Sequence, residues 1–346
     1  MRVLHVVAGS AQGGAETYCL DAIKALHERG ITQHVICRPH SNYLSTFKQL
    51  GISYSIESFS FLSRLFSGKR KIKSIIHQFQ PDVVHAWMGR GASFIPSGVS
   101  VPVIGWFGGY YDLERYKNCD CFVGVTKDIK RHLDEKTGVP ERCFVVHTFG
   151  TLEDMPAVDR KEFDTPEDVP VVLLLSRMHW KKGVDVLLQA AQKIDNAYFW
   201  LAGDGPEIEK YKALSTELGV DHKVRFLGWR NDRSALLKQA DICALPSRYE
   251  PFGTVIAEAW YANVPLVSSK ASGAVQYVTH DQDGLLFDID NVEQLTECIQ
   301  RLLSDKELRA KLIAGGKGQY EALFSRDVST TSLLDTYQKV LKLGKK

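Results

Sequence analysis

The sequence predicts an α/β protein of two doubly wound domains, each a parallel sheet covered by helices on both faces. Three observations predict it. Short apolar runs of strand length alternate with helix-length segments along the chain. A stretch rich in Pro, Asp and Glu, 156–169, interrupts that alternation near the middle. The 346 residues, 44% of them hydrophobic, can bury two medium-sized cores. A first domain is expected at 1–158, a second at 159–325 and a closing helix at 326–346.

Val3 to Val7 reads as a buried strand that runs into Ala8-Gly9-Ser10-Ala11-Gln12-Gly13-Gly14-Ala15-Glu16 and a helix to about Gly30. Strand, glycine loop and helix form an anion cradle, because the free N–H groups of a helix start favour negative charge. The loop is not Gly-x-Gly-x-x-Gly and no convincing ribose acid follows the second strand, which argues against a dehydrogenase; it also lacks the Gly-Lys-Ser/Thr ending of a P-loop. Val35 to Arg38 is the second strand, Asn42 to Leu50 a helix and Ser53 to Glu57 an extended segment. Phe59 to Lys73 sets aromatics ahead of a basic cluster. It is either a solvated loop and helix start with its apolar residues folded inward, or a patch for anionic lipid head groups, each Lys or Arg contributing about 1 kcal/mol near such a surface. Asp82 to Trp87, the run from Val103 and Cys121 to Val125 are further strands, a helix starts at Lys127, and Val145 to Thr148 ends the domain.

Beyond the linker the alternation resumes. Val171 to Ser176, Tyr198 to Ala202, Val224 to Leu227 and Asp241 to Leu245 read as strands, with helices from Gly183, Glu207 and Arg233. Such alternation gives a parallel sheet. Asn291 to Leu303, Lys306 to Leu323 and Val328 to Leu343 read as helices, and Asp288-Ile289-Asp290 is expected to cap the first of them rather than to hold a metal.

The net charge of +2 gives no reason to expect a nucleic-acid partner. Seven scattered cysteines, with one Cys-x-Cys at Cys119 and Cys121 and no nearby His, are a poor zinc signal and read as reduced core thiols. The first strand begins too early for a signal peptide, and no apolar run is long enough to span a membrane. A cytoplasmic protein is expected, with the inner membrane face as a candidate surface.

The chemistry concentrates in Ser247-Arg248-Tyr249-Glu250-Pro251-Phe252-Gly253-Thr254-Val255-Ile256-Ala257-Glu258-Ala259. A strand ends, Pro-Phe-Gly turns, Thr254 can cap a helix, and Glu258 rides about one turn inside it. In an open α/β sheet this loop lies at the carboxyl ends of the strands, where ligands bind. The helix start suits an anion and the two carboxylates suit flanking hydroxyls, so a polyhydroxylated phosphate ester is the natural guest. Ser176-Arg177-Met178-His179-Trp180-Lys181-Lys182-Gly183 adds two cations, a guanidinium fork and a compact ammonium, that can straddle a diphosphate.

The string around Glu250 and Glu258 resembles the signature of glycosyltransferase family 4, a large group of retaining GT-B enzymes. The resemblance covers nearly the whole chain and is densest over 176–284. It implies two facing Rossmann-like domains with a closing helix that crosses back to the first. It also implies a metal-independent hexosyltransferase that needs no cofactor beyond its UDP- or GDP-linked donor and acts on a glycan or lipid-linked acceptor, as in lipopolysaccharide synthesis. By the same resemblance Arg177 and Lys182 neutralise the diphosphate and Glu250 contacts the donor sugar. Glu258 holds the ribose, Phe252-Gly253-Thr254 approaches the diphosphate, and Gly13 and Gly14 admit donor phosphate and acceptor. Gly203 and Arg230 are further donor contacts, and His85, Gly108 and Gly109 are acceptor candidates. Many members carry a His where Gly108 stands, which keeps two other functions in view: a non-catalytic sugar-nucleotide-binding partner and a GT-B epimerase.

Overall fold

The computed structural model describes residues 1–9, 14–39, 43–149, 152 and 155–345. The chain divides into two compact units, Met1–Phe149 with Arg326–Lys346, and Gly150–Ser325.

The first unit holds strands β1 (Arg2–Val7), β2 (Thr32–Cys37), β3 (Ser53–Ile56), β4 (Val83–Trp87), β5 (Val103–Phe107), β6 (Cys121–Gly124) and β7 (Cys143–Val145). They form one parallel sheet in the order β3-β2-β1-β4-β5-β6-β7. Strands β4 and β5 are buried at every position, as a sheet covered on both faces requires. The last strand lies earlier than the expected 145–148, because Cys143, Phe144 and Val145 pair with Phe122, Val123 and Gly124.

Phe59 to Lys73, expected as loop and helix start, forms two helices. Phe61–Phe66 is capped by the Ser60 hydroxyl, which accepts from the Ser63 N–H at 3.1 Å, and Gly68–Phe79 follows. The closing helix, Arg326–Leu343, packs in this unit. Its Tyr337 hydroxyl meets His85 Nδ1 at 2.7 Å, and Arg326 reaches both oxygens of Glu28 at 2.6 and 2.8 Å.

The second unit holds β8 (Val171–Leu175), β9 (Tyr198–Ala202), β10 (Val224–Gly228), β11 (Ile242–Leu245), β12 (Leu266–Ser269) and β13 (Leu285–Phe287). They too are parallel, in the order β10-β9-β8-β11-β12-β13. In both sheets the order reverses once, between β1 and β4 and between β8 and β11. The crevice at the carboxyl ends of the two strands flanking such a reversal is where open α/β sheets bind ligands. The acidic and prolyl stretch at 156–169 is docked on the second unit rather than loose. Buried Arg160 donates to the carbonyls of Val169 and Gln239 at 2.7 and 2.8 Å, and Trp200 Nε1 donates to Thr165 at 2.9 Å. All seven cysteines are buried free thiols, and among the described residues no helix is long and apolar enough to cross a membrane.

Candidate active site

Strand order in the second unit brings the loop after β8 beside the loop after β11. Arg177 stands in the first of these and is exposed. Lys182 ends a short 3-10 turn, Trp180–Lys182, and its ammonium forms an ion pair with Glu250 in the other loop. Both side chains are partly shielded, 24% and 17% exposed, so an ammonium and a carboxylate sit side by side at the edge of the crevice. The Glu250 carbonyl is pinned from a third loop by the Gly273 N–H at 2.7 Å.

The helix after Glu250 is Thr254–Tyr261, and its start corrects one expectation. Gly253, not Thr254, occupies the cap position, with φ of 77° and no side-chain cap bond. That left-handed backbone favours glycine. Its consequence is a helix start whose first amides no side-chain oxygen covers, which suits an anion. Phe252 turns inward, packing edge-on against Tyr277 at 5.8 Å and against Phe324 at 5.6 Å, so only its backbone is placed to face a ligand.

Glu258 lies one turn inside the helix, 2% exposed, with Oε1 2.5 Å from Arg233 Nη1. Its Oε2 is buried without a partner among the described residues. Burial pushes this carboxyl up while Arg233 pulls it down, and burial prevails. An unmatched buried acceptor fits a ligand hydroxyl.

Gly203 follows β9 beside the Arg177 loop, with φ of 148°. A Cβ there would stand 1.8 Å from the Ser176 carbonyl oxygen, so only glycine lets the two loops approach so closely. Arg230 is not drawn to this group. It forks onto Asp232 at 2.8 and 2.5 Å and lies over the Phe163 ring at 5.3 Å. Asp288-Ile289-Asp290 does not cap the following helix. Asn291 does so, accepting from the Gln294 N–H at 3.0 Å, while Asp288 meets Lys270 at 2.7 Å and Asp290 meets Arg248 at 2.6 Å.

The candidates in the first unit divide. Gly13 lies outside the described residues, and Gly14 opens the helix Gly14–Glu28 in an exposed position. His85, an acceptor candidate, is instead fully buried, stacked on Trp87 at 4.2 Å and bonded to Tyr337, so its ring is packed away from the surface. At Gly108 a Cβ would come within 2.5 Å of the Trp106 ring, and Trp106 is itself buried. The indole fills the space that a larger residue at 108 would need. Gly109 is less tight, with the Tyr111 ring 3.3 Å from such a Cβ.

Two groups went unread in the sequence. Arg233 partners Glu258, and Arg248 binds Asp185 through two bonds at 2.9 and 2.6 Å. The available signals were the arginine two residues before Glu250 and the aspartate two after Gly183. Among the described residues no group of three or more His, Cys, Asp or Glu is arranged to hold a metal ion.

The family model described as Glycosyl transferases group 1 matches residues 157–319, and that described as Glycosyltransferase Family 4 matches residues 12–150. The lipopolysaccharide core biosynthesis glycosyltransferase LpsD of Rhizobium meliloti is 33% identical over 341 residues, 98% of this chain and 98% of that protein. LpsE of the same organism is 32% identical over 338 residues, 96% and 98% of the two chains. Among solved structures, a glycosyltransferase from Rickettsia africae has a TM-score of 0.84 at 21% identity, over 99% of this chain and 98% of its own. HepE of Anabaena, solved with UDP-glucose, has a TM-score of 0.82 at 20% identity, over 98% and 99%. The fold is therefore GT-B. With relatives aligned along nearly its full length and both family models matched in order, the chain belongs to glycosyltransferase family 4.

Proposed function

We propose that this chain moves a hexose from a UDP- or GDP-linked sugar, with retention of anomeric configuration, to a hydroxyl of lipopolysaccharide core or another lipid-linked glycan. The observation that carries the reading is the meeting of Lys182 and Glu250 at the strand-order reversal of the second sheet, beside an uncapped helix start. Breaking the bond between sugar and phosphate builds positive charge on the ring and negative charge on the diphosphate. Arg177, Lys182 and the amides opening the helix Thr254–Tyr261 stabilise the second, and Glu250 orients the sugar hydroxyls. Glu258, held by Arg233, takes the ribose hydroxyls, with Gly203 admitting the nucleotide. Gly13 and Gly14 would serve the first unit's side of the reaction and Gly108 and Gly109 the acceptor; the packing of Arg230 on Asp232 makes it the weakest of the donor contacts.

The names of LpsD and LpsE support a core-oligosaccharide acceptor. UDP occurs in the HepE complexes, whereas a mycobacterial relative 30% identical over 179 residues is named as GDP-mannose-dependent. The deciding experiment offers UDP- and GDP-hexoses with truncated core oligosaccharides and reads the product anomer by NMR. An α-linked product from an α-linked donor is expected. Inversion overturns the mechanism, and altered sugar from donor alone replaces it with epimerisation.

The finer reading of location is a peripheral place on an anionic membrane face. Phe61 and Leu62 are each 66% exposed, the highest values among the large apolar residues described, and exposed Arg64, Arg70 and Lys73 follow them. Co-sedimentation with phosphatidylglycerol vesicles is expected to exceed that with neutral ones roughly tenfold and to fade with salt. Equal binding to both would remove the membrane from the reading.

A further inference from the structure

The two loops that carry the donor-assigned charges, 176–183 and 246–253, meet through the Lys181 ammonium over the Tyr249 ring, 4.8 Å from its centre, and through two sets of polar contacts. One is the Lys182–Glu250 pair, both of whose members face the donor in the reading above. The other centres on Arg248, two residues before Glu250. Its Nη1 and Nη2 donate to Asp185 Oδ1 and Oδ2 at 2.9 and 2.6 Å, Nη1 also donates to the Trp180 carbonyl at 2.8 Å, and Nε lies 2.6 Å from Asp290 Oδ1. The N–H groups of Arg248 and Tyr249 both donate to the Lys181 carbonyl, at 2.8 and 3.1 Å. One side chain thus ties the turn Trp180–Lys182, the first turn of the helix Val184–Gln192 and the turn at 288–290 to the loop that bears Glu250.

We propose that Arg248 is a positioning residue for sugar transfer: its fork on Asp185, with Asp290 as a second carboxylate, sets Glu250 and Lys182 at the separation the donor requires. The proposal rests on the donor site described above. A bidentate guanidinium–carboxylate pair fixes both distance and plane, whereas a single ammonium–carboxylate contact fixes neither. Lys182 and Glu250 exchange contacts with each other for contacts to the donor when they bind it. The Arg248 contacts involve no donor-assigned side chain, so they persist through that exchange. Arg248 and Asp185 are 21% and 27% exposed, which sets them apart from freely solvated pairs. Burial pushes the Asp185 carboxyl up, but its bonds to Arg248 outweigh burial and hold it below the usual carboxylate range, so the fork stays charged at neutral pH.

The test compares Arg248→Lys, which keeps the charge and loses the fork, with Asp185→Asn, which keeps the shape and loses the charge. Each is expected to lower kcat for transfer roughly 10- to 100-fold with donor KM changed less than about threefold, the signature of misplacement rather than lost binding. Backbone hydrogen exchange at 180–182 and 249–253 is expected to quicken in the folded protein. Adding Arg248→Lys to Glu250→Ala is expected to cost clearly less than Arg248→Lys costs in the parent, because one of the two groups it positions is gone. Unchanged exchange in both variants overturns the clamp. Faster exchange with unchanged kcat, or full additivity with Glu250→Ala, overturns the positioning role. A parent protein that turns over no sugar nucleotide, while its exchange still answers to Arg248→Lys, overturns the donor-site reading instead and upholds the clamp. Should Arg248→Lys fail to fold, Asp185→Asn carries the same comparisons.

Discussion

Arg177→Ala, Lys182→Ala and Glu250→Ala are each expected to lower the rate of sugar transfer roughly 10²- to 10³-fold, the usual cost of losing one preorganised charge-stabilising group. The three losses differ in kind. Arg177 is exposed, so in the proposed mechanism its removal takes away a diphosphate contact and leaves nothing unpaired. Lys182→Ala removes a cation and also strips Glu250 of its partner, which in the proposed mechanism leaves a carboxylate beside the developing phosphate charge. It is therefore the most damaging of the three.

Glu250→Ala frees Lys182 for the diphosphate, so the released nucleotide should bind at least as tightly as in the parent while kcat collapses. Steady-state kinetics with nucleotide titration separates these patterns. Melting temperatures should stay within a few degrees of the parent, because a partly solvated ion pair contributes at most about 1 kcal/mol to folding. Parent-like kcat/KM in Glu250→Ala sinks the site. Because the guanidinium, the ammonium and the helix amides are assigned the neutralising role, EDTA is expected to leave the parent rate unchanged; abolition by EDTA would show that they do not suffice.

The parts of this site that were legible in the sequence are those set by local chemistry. Apolar runs such as Val171–Leu175 and Tyr198–Ala202 announce strands buried on both faces, and their alternation with helices gives two parallel sheets. Loops at the carboxyl ends of such strands are where charged residues collect to meet a ligand, which makes Arg177, Lys182 and Glu250 candidates from the sequence, and the structure places them in the loops after β8 and β11. Parts that depend on distant partners could not. His85 reads from the sequence as a strand-end residue that suits a cleft, yet it lies in the middle of β4, and Tyr337, 252 residues further on, covers it. Arg248 reads as a loop cation because Asp185 lies 63 residues away. Cap identity failed for another reason. Thr254 has a hydroxyl that could cap a helix, but it already lies inside this one, and the position before it has a left-handed backbone that favours glycine.

The buried histidines of the first unit give the last expected result: lowering the pH from 7 to 5 destabilises this unit by about 2 kcal/mol through His5 alone. His5 is fully buried, its Nε2 2.9 Å from Gln33 Oε1 and its Nδ1 accepting from Trp87 Nε1 at 3.1 Å. Burial holds its pKa down to about 3, with the Gln33 bond opposing. The unfolded chain protonates it near 6.5, so between those values the unfolded state binds the extra proton. Stability is therefore full above pH 6.5 and falls as the pH drops toward 3. His85, whose ring lies 6.0 Å from that of His5, is lowered by its own burial and then by His5, so it steepens the loss. The carboxylates held below their usual range, Glu28, Glu57 and Asp128 in this unit, keep their contribution until the pH nears that of free carboxyls, which leaves the window from 6.5 to 5 to the imidazoles. Urea denaturation at pH 7 and pH 5, with ring-proton NMR of His5, reads both halves of the claim. A His5 ring that titrates near 6.5 in the folded protein would contradict it, since a proton so easily accepted could not sit among Trp87, Gln33 and His85 without their rearrangement.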